Sequence, residues 1–184
     1  MKEKGLDCLV KATDGKDHKF DYLFKHHVFK MLVSDLNRLS DPNYYREFII
    51  MVATYVEFFI DQIITERLSK IYPHVEIGNY NFAEKIGKSL GKLLISQEFR
   101  LGLEKRIKIL KCLINNDNLI SILQEINTNR NKIAHNINVT QIKMEGKDFS
   151  PLTNKQEHEK MIIRYVDSLI ELNDVHIAMF VENK

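Results

Sequence analysis

A chain of 184 residues, 44% hydrophobic and 28% charged, is long enough for one domain that buries its core without staples. Seven glycines, three prolines and two cysteines exclude a collagen-like, turn-rich or disulfide-framed chain. A formal net charge of +2 is too small to argue for a nucleic-acid or membrane partner, so the distribution of charge must carry any such argument.

Residues 1–20, "MKEKGLDCLVKATDGKDHKF", lack the apolar block of a signal peptide, and "TDGKDHK" marks a turn. They read as an irregular N-terminal segment ahead of one helical domain spanning 21–184. "YLFKHHVFKMLVSDLNRL" sets Phe24, Val28, Met31, Leu32, Leu36 and Leu39 at helical spacing. In "SDPN", Asp41 precedes Pro42, which predicts a helix start. A long helix follows from Tyr44 to about Tyr72, ended by Pro73. Its first half is apolar nearly all round, as the central helix of a bundle should be. The run "FIIMVATYVEFFI" stops short of membrane length and contains Glu57.

Two further helices are predicted across 81–114, broken near Ser96. "NNDNLISILQEINTNRNKIAHNI" predicts a helix capped near Asp117, with an apolar stripe through Leu119, Ile122, Leu123, Ile126, Ile133 and Ile137. Residues 138–154 are polar, with Gly146 and Pro151, and read as a loop with room for a short hairpin. A last helix covers Lys155 to Phe180. The fold class expected is all-α, a single-domain bundle of about five to six helices.

Lys85, Lys88 and Lys92 recur at i, i+3 and i+7 and share one helix face. Such a face suits a phosphate backbone, and the plainer reading is a solvated surface. Cys8 and Cys112 follow no metal or redox spacing, so a cytoplasmic protein with reduced thiols is expected, with Cys112 a small buried residue. Adjacent His26 and His27 point to different faces, no cluster has metal-ligand spacing, and no cofactor is expected. Tyr44, Tyr45, Tyr80 and Tyr165 read as core or rim residues rather than base-stacking platforms.

The stretch "RNKIAH", residues 130–135, is the one candidate site. An arginine followed within a few residues by a histidine is cheap: among seven histidines, about one such match arises by chance. Arg67 and His74 in "RLSKIYPH" supply a decoy, with Pro73 ending the helix between them. Arg130 has better context, because Asn131 follows it and the histidine closes a continuous helical pattern. At about 100° per residue, Arg130 falls in the apolar stripe between Ile126 and Ile133. A guanidinium there must pair with a carboxylate, lie at an interface or face a pocket. Glu57 interrupts "YVEFFI", where an unpaired carboxylate is costly. Thr54, Glu57 and Asp61 share a face and offer Arg130 a polar seam. A purely structural reading makes Arg130 and Glu57 a buried ion pair. Arg130 and His135 lie about 140° apart on the helix, so a compact site is easier to build from two copies across a two-fold axis.

"RNKIAH" near the end of a late helix in an all-α chain resembles the signature of the HEPN superfamily, the higher eukaryotes and prokaryotes nucleotide-binding domains. The resemblance covers about Tyr22 to Phe180. It implies a metal-independent endoribonuclease acting as a homodimer, often a toxin or phage-defence effector held by an antitoxin protein. Carried onto this chain, Arg130 would bind the scissile phosphate and His135 would act as general acid or base. Asn131 would orient one of them, and Glu57 would be the acidic residue that many members place near the site. The alternative within the family is a non-catalytic module that binds nucleotide or RNA as an accessory subunit. In the branch paired with nucleotidyltransferase antitoxins a tyrosine stands two residues after the histidine. This chain has Ile137 there, a departure from that branch.

Overall fold

The computed structural model describes residues 34–36, 38–71, 102–136 and 138–181, and of these only the backbone at 65, 66, 68–71 and 179–181. The readings made on residues 1–20, on 24–33, on the break near Ser96 and on Lys85, Lys88, Lys92 and Tyr80 lie outside the described residues.

Among the described residues the fold is mostly helical, with one two-stranded sheet. Asp41 leads into the long central helix: its carboxylate accepts from the Asn43 N–H at 2.8 Å, ahead of a single 3-10 turn at Pro42–Tyr44. Proline suits that position because its missing N–H would have no helical partner. Helix α1 then runs Tyr45–Ile71, 27 residues. It buries Tyr45, Phe48, Ile49, Val52, Val56, Phe59, Ile60 and Ile63 and packs against the helices Leu103–Leu113, Asp117–His135 and Lys155–Val181. A helix apolar on most of its circumference can satisfy that pattern only at the centre of a bundle.

Helix α2 spans Leu103–Leu113 and buries Leu103, Ile107 and Leu110. Cys112, expected inside, is exposed. It sits two residues past Leu110, about 200° around the helix from it, so the apolar face cannot include both.

Helix α3 spans Asp117–His135, 19 residues. Its cap is Asn116 rather than Asp117, and the Asn116 side chain accepts from the Leu119 N–H at 3.0 Å. Asp117 is the first helical residue, where a carboxylate complements the positive end of the helix dipole. Helix α4 spans Lys155–Val181 and buries Met161, Ile162, Tyr165, Val166, Leu169 and Leu172.

Between α3 and α4 stands a hairpin, β1 at Ile142–Met144 and β2 at Lys147–Phe149, antiparallel with Met144 opposite Lys147. Its turn residues Glu145 and Gly146 both have positive φ, 52° and 81°. A two-residue hairpin turn of this hand requires that, and glycine meets it without strain. Ile142 and Met144 point inward and close the core below α3. No helix among the described residues is long and apolar enough to cross a membrane.

Candidate functional site

The motif occupies the last turn and a half of α3, and the residue just before it fixes that turn in place. Asn129 is fully buried. Its amide nitrogen donates to the Lys143 carbonyl at 2.6 Å and to the Tyr165 hydroxyl at 2.8 Å, and its amide oxygen accepts from the Lys143 N–H at 2.8 Å. In a two-residue hairpin the pairing alternates, so Lys143 turns both backbone groups away from β2 and needs a partner outside the sheet. Asn129 supplies one amide for two peptide groups, and α3, β1 and α4 meet at that point. Burial pushes the Tyr165 phenol well above its usual range, with the Asn129 hydrogen bond opposing the shift. Nearer the surface, Lys132 and Asp148 form an exposed pair at 3.4 Å that also ties α3 to the hairpin.

Arg130, one residue on, leaves the core. Its side chain is 38% exposed, although the helical wheel places it within the stripe. Near the helix end the buried positions are taken by Asn127, Asn129 and Ile133, and the long arginine side chain carries its charge out past them. One guanidinium nitrogen donates to Asn131 Oδ1 at 3.2 Å. The other terminal nitrogen lies 3.9 Å from Glu57 Oε1 on α1, an ion-pair distance beyond hydrogen-bonding range. His135 ends the helix and is exposed.

Glu57 has a second cation neighbour that sequence reasoning did not assign to the site. Arg106 on α2 places Nη1 3.5 Å from Glu57 Oε2 and Nε 2.8 Å from Asp61 Oδ1. Asp61 is therefore engaged by Arg106, and Thr54 donates back to the Ile50 carbonyl of its own helix. The polar seam expected for Arg130 reduces to Glu57 alone. Burial raises the Asp61 carboxyl above its ordinary value, while the Arg106 charge and hydrogen bond act in the opposite direction. A signal for Arg106 was present: two carboxylates at i and i+4 in an apolar helix require a cation from a neighbouring helix.

The structure thus brings Arg130, Asn131 and Glu57 together, with Arg106 behind Glu57, and leaves His135 at the helix end. The ion pair of the structural reading is present, at 3.9 Å, but both partners are partly exposed rather than buried. Among the basic residues of α2, Arg106 is turned inward, Lys108 pairs with Glu104 at 2.7 Å and Lys111 lies 3.7 Å from Asp117. Tyr45 and Tyr165 are core residues, and Tyr44 is half exposed. A cavity of about 670 Å³ opens elsewhere, between α3, the hairpin and α4, lined by Ile122, Met144, Arg164, Asp167 and Glu171 among others. It includes none of the motif residues. Among the described residues no three His, Cys, Asp or Glu side chains are grouped as metal ligands.

Compared with protein-family models, with curated proteins and with solved structures, the chain matches none.

Proposed function

We propose that the chain is a HEPN-type endoribonuclease that cleaves RNA without a metal, as a homodimer in the cytoplasm, with Arg130 and His135 as its catalytic residues. The observation that carries the reading is the placement of "RNKIAH" at the exposed end of α3, on a helix pinned from below by Asn129. Arg130 is half exposed and only loosely paired, so its guanidinium is available to an incoming phosphate, and arginine donors suit phosphate geometry.

The reaction is an internal displacement. The ribose 2′-oxygen attacks phosphorus, and its proton passes to a histidine acting as base. The bond from phosphorus to the 5′-oxygen breaks, and that oxygen takes a proton from an acid. A 2′,3′-cyclic phosphate and a 5′-hydroxyl result. Arg130 neutralises charge gathering on the non-bridging oxygens. On a regular helix Arg130 and His135 are about 140° apart around the axis and about 7.5 Å apart along it, so one chain presents them splayed. Two copies of His135 across a two-fold axis supply one base and one acid, and that need supports the homodimer. The exposed Ile50 and Phe58 of α1 give a second copy an apolar surface beside Glu57. A toxin or defence role, with an antitoxin protein masking the site, belongs to the same reading.

The test is cleavage of bulk tRNA and of a defined single-stranded RNA in excess EDTA. Wild type is expected to leave cyclic-phosphate ends, and His135→Ala to cut about 10²- to 10⁴-fold more slowly. RNA left intact by wild type, or cut equally by both, contradicts the reading.

A further inference from the structure

Among the described residues Glu57 is the only carboxylate in an ion pair with Arg130, and its two oxygens face two different arginines. Oε2 is turned to Arg106 at 3.5 Å and Oε1 to Arg130 at 3.9 Å. The two cations are not equivalent. The Arg106 side chain is 13% exposed and is anchored to Asp61 by a 2.8 Å charge-assisted hydrogen bond. The Arg130 side chain is 38% exposed and makes no hydrogen bond to Glu57. One guanidinium is anchored by a short bond, and the other is held only by Asn131 at 3.2 Å and Glu57 at 3.9 Å.

From this geometry we infer that Glu57 and Arg106 act as a counter-charge relay that sets how readily Arg130 engages a phosphate: Glu57 holds Arg130 back, and Arg106 competes for Glu57 and so releases it. The inference rests on reading Arg130 as the phosphate ligand. When Arg130 turns to an anion, Glu57 would be left as an uncompensated, partly buried carboxylate if it had no other partner. Arg106 already stands beside it, so the transfer leaves no carboxylate bare. Arg106 and Glu57 are positioning residues in this account, since neither needs to touch the substrate.

The two substitutions are expected to have opposite signs, and comparison with a charge control separates the relay from the bare change of charge. Glu57→Gln removes the charge that competes with phosphate for Arg130 while keeping the side chain's shape. Arg106→Gln removes the rival cation, so Glu57 holds Arg130 more firmly. An ion pair at this level of exposure is worth up to about 1 kcal/mol, which corresponds to roughly two- to fivefold in affinity.

The experiment is a titration with inorganic phosphate at constant ionic strength, following the Nε–H resonance of Arg130 by ¹⁵N NMR. Glu47→Gln removes the same charge from an exposed position of α1 and serves as the charge control. Glu57→Gln is expected to bind phosphate roughly two- to fivefold more tightly than wild type, and Arg106→Gln more weakly by a similar factor. If Arg106→Gln fails to fold, the comparison of Glu57→Gln with Glu47→Gln decides alone. Tightening no greater than in the charge control overturns the relay, as does an Arg130 resonance that phosphate leaves unmoved in every protein. Because no RNA and no turnover are involved, the expected order with no RNA cleavage in EDTA would remove the nuclease reading and leave the relay standing.

Discussion

Asn129 and Arg130 are neighbours on α3, and the fold treats them in opposite ways. Asn129 is buried with its amide satisfied from three directions by Lys143 and Tyr165. Arg130 is at the surface with one hydrogen bond to the next residue and a distant carboxylate. A polar group that is fully satisfied in the interior fixes one arrangement of the elements around it. A charged group left loosely paired at the rim costs the fold little and keeps its donors for something else. The contrast shows how one helical turn can separate the residue that holds the helix from the residue offered to solvent.

That contrast can be broken or sharpened by substitution. The largest stability effect is expected at Asn129. Asn129→Ala strands the outward peptide groups of Lys143 and takes one hydrogen-bond partner from the buried Tyr165 hydroxyl, and should lower unfolding free energy by about 2–4 kcal/mol in urea denaturation. A loss under about 1 kcal/mol would show that the junction does not fix α3 to the hairpin.

A smaller loss is expected at the second polar cluster. Arg106→Gln leaves Asp61 partly buried with no cation and should cost about 1–2 kcal/mol at neutral pH. The Asp61 carboxyl, already raised by burial, then rises further. A carboxyl whose folded value exceeds its unfolded value opposes folding above the unfolded value, so the deficit of the variant should shrink on acidification. Denaturation of both proteins at several pH values checks the sign.

The smallest effect concerns His158, which is 1% exposed with no hydrogen-bond partner for its buried Nε2. Burial lowers its folded-state value below 6.5, against the opposing charges of Asp41 and Glu159. The fold therefore prefers the neutral ring. Its contribution is intact above the ordinary histidine range and is lost as pH falls through 6.5, because the unfolded chain then binds the extra proton. His158→Gln should flatten the decline in melting temperature between pH 7 and 5, and an unchanged slope would place the acid sensitivity elsewhere.

Much of the helical layout was legible because it depends on local signals. The apolar circumference of "FIIMVATYVEFFI" marked a central helix, Asp41 before Pro42 marked its approach, and the positive-φ turn at Gly146 lay in the loop read as having room for a hairpin. What periodicity did not give was register between helices. Nothing in the sequence singles out Asn129, because its partners are a peptide group 14 residues away and a tyrosine on another helix. Glu57 and Asp61 called for a cation, but nothing in the order of residues says that Arg106 of α2 supplies it. Cys112 was misplaced for a simpler reason: cysteine is commonly a buried residue, but the face of α2 set by Leu103, Ile107 and Leu110 excludes it. The motif itself was legible as a pattern, and the loose pairing of Arg130 became visible only with α1 beside it.

The measurement that tests the account most directly is Arg130→Ala, assayed on one preparation for thermal melting and for RNA cleavage in excess EDTA. The account predicts a change in stability below about 1 kcal/mol together with a loss of cleavage of about 10²-fold or more. A protein destabilised by 3 kcal/mol or more, on the scale of a broken buried ion pair, would contradict it. So would a variant that cuts RNA as fast as wild type.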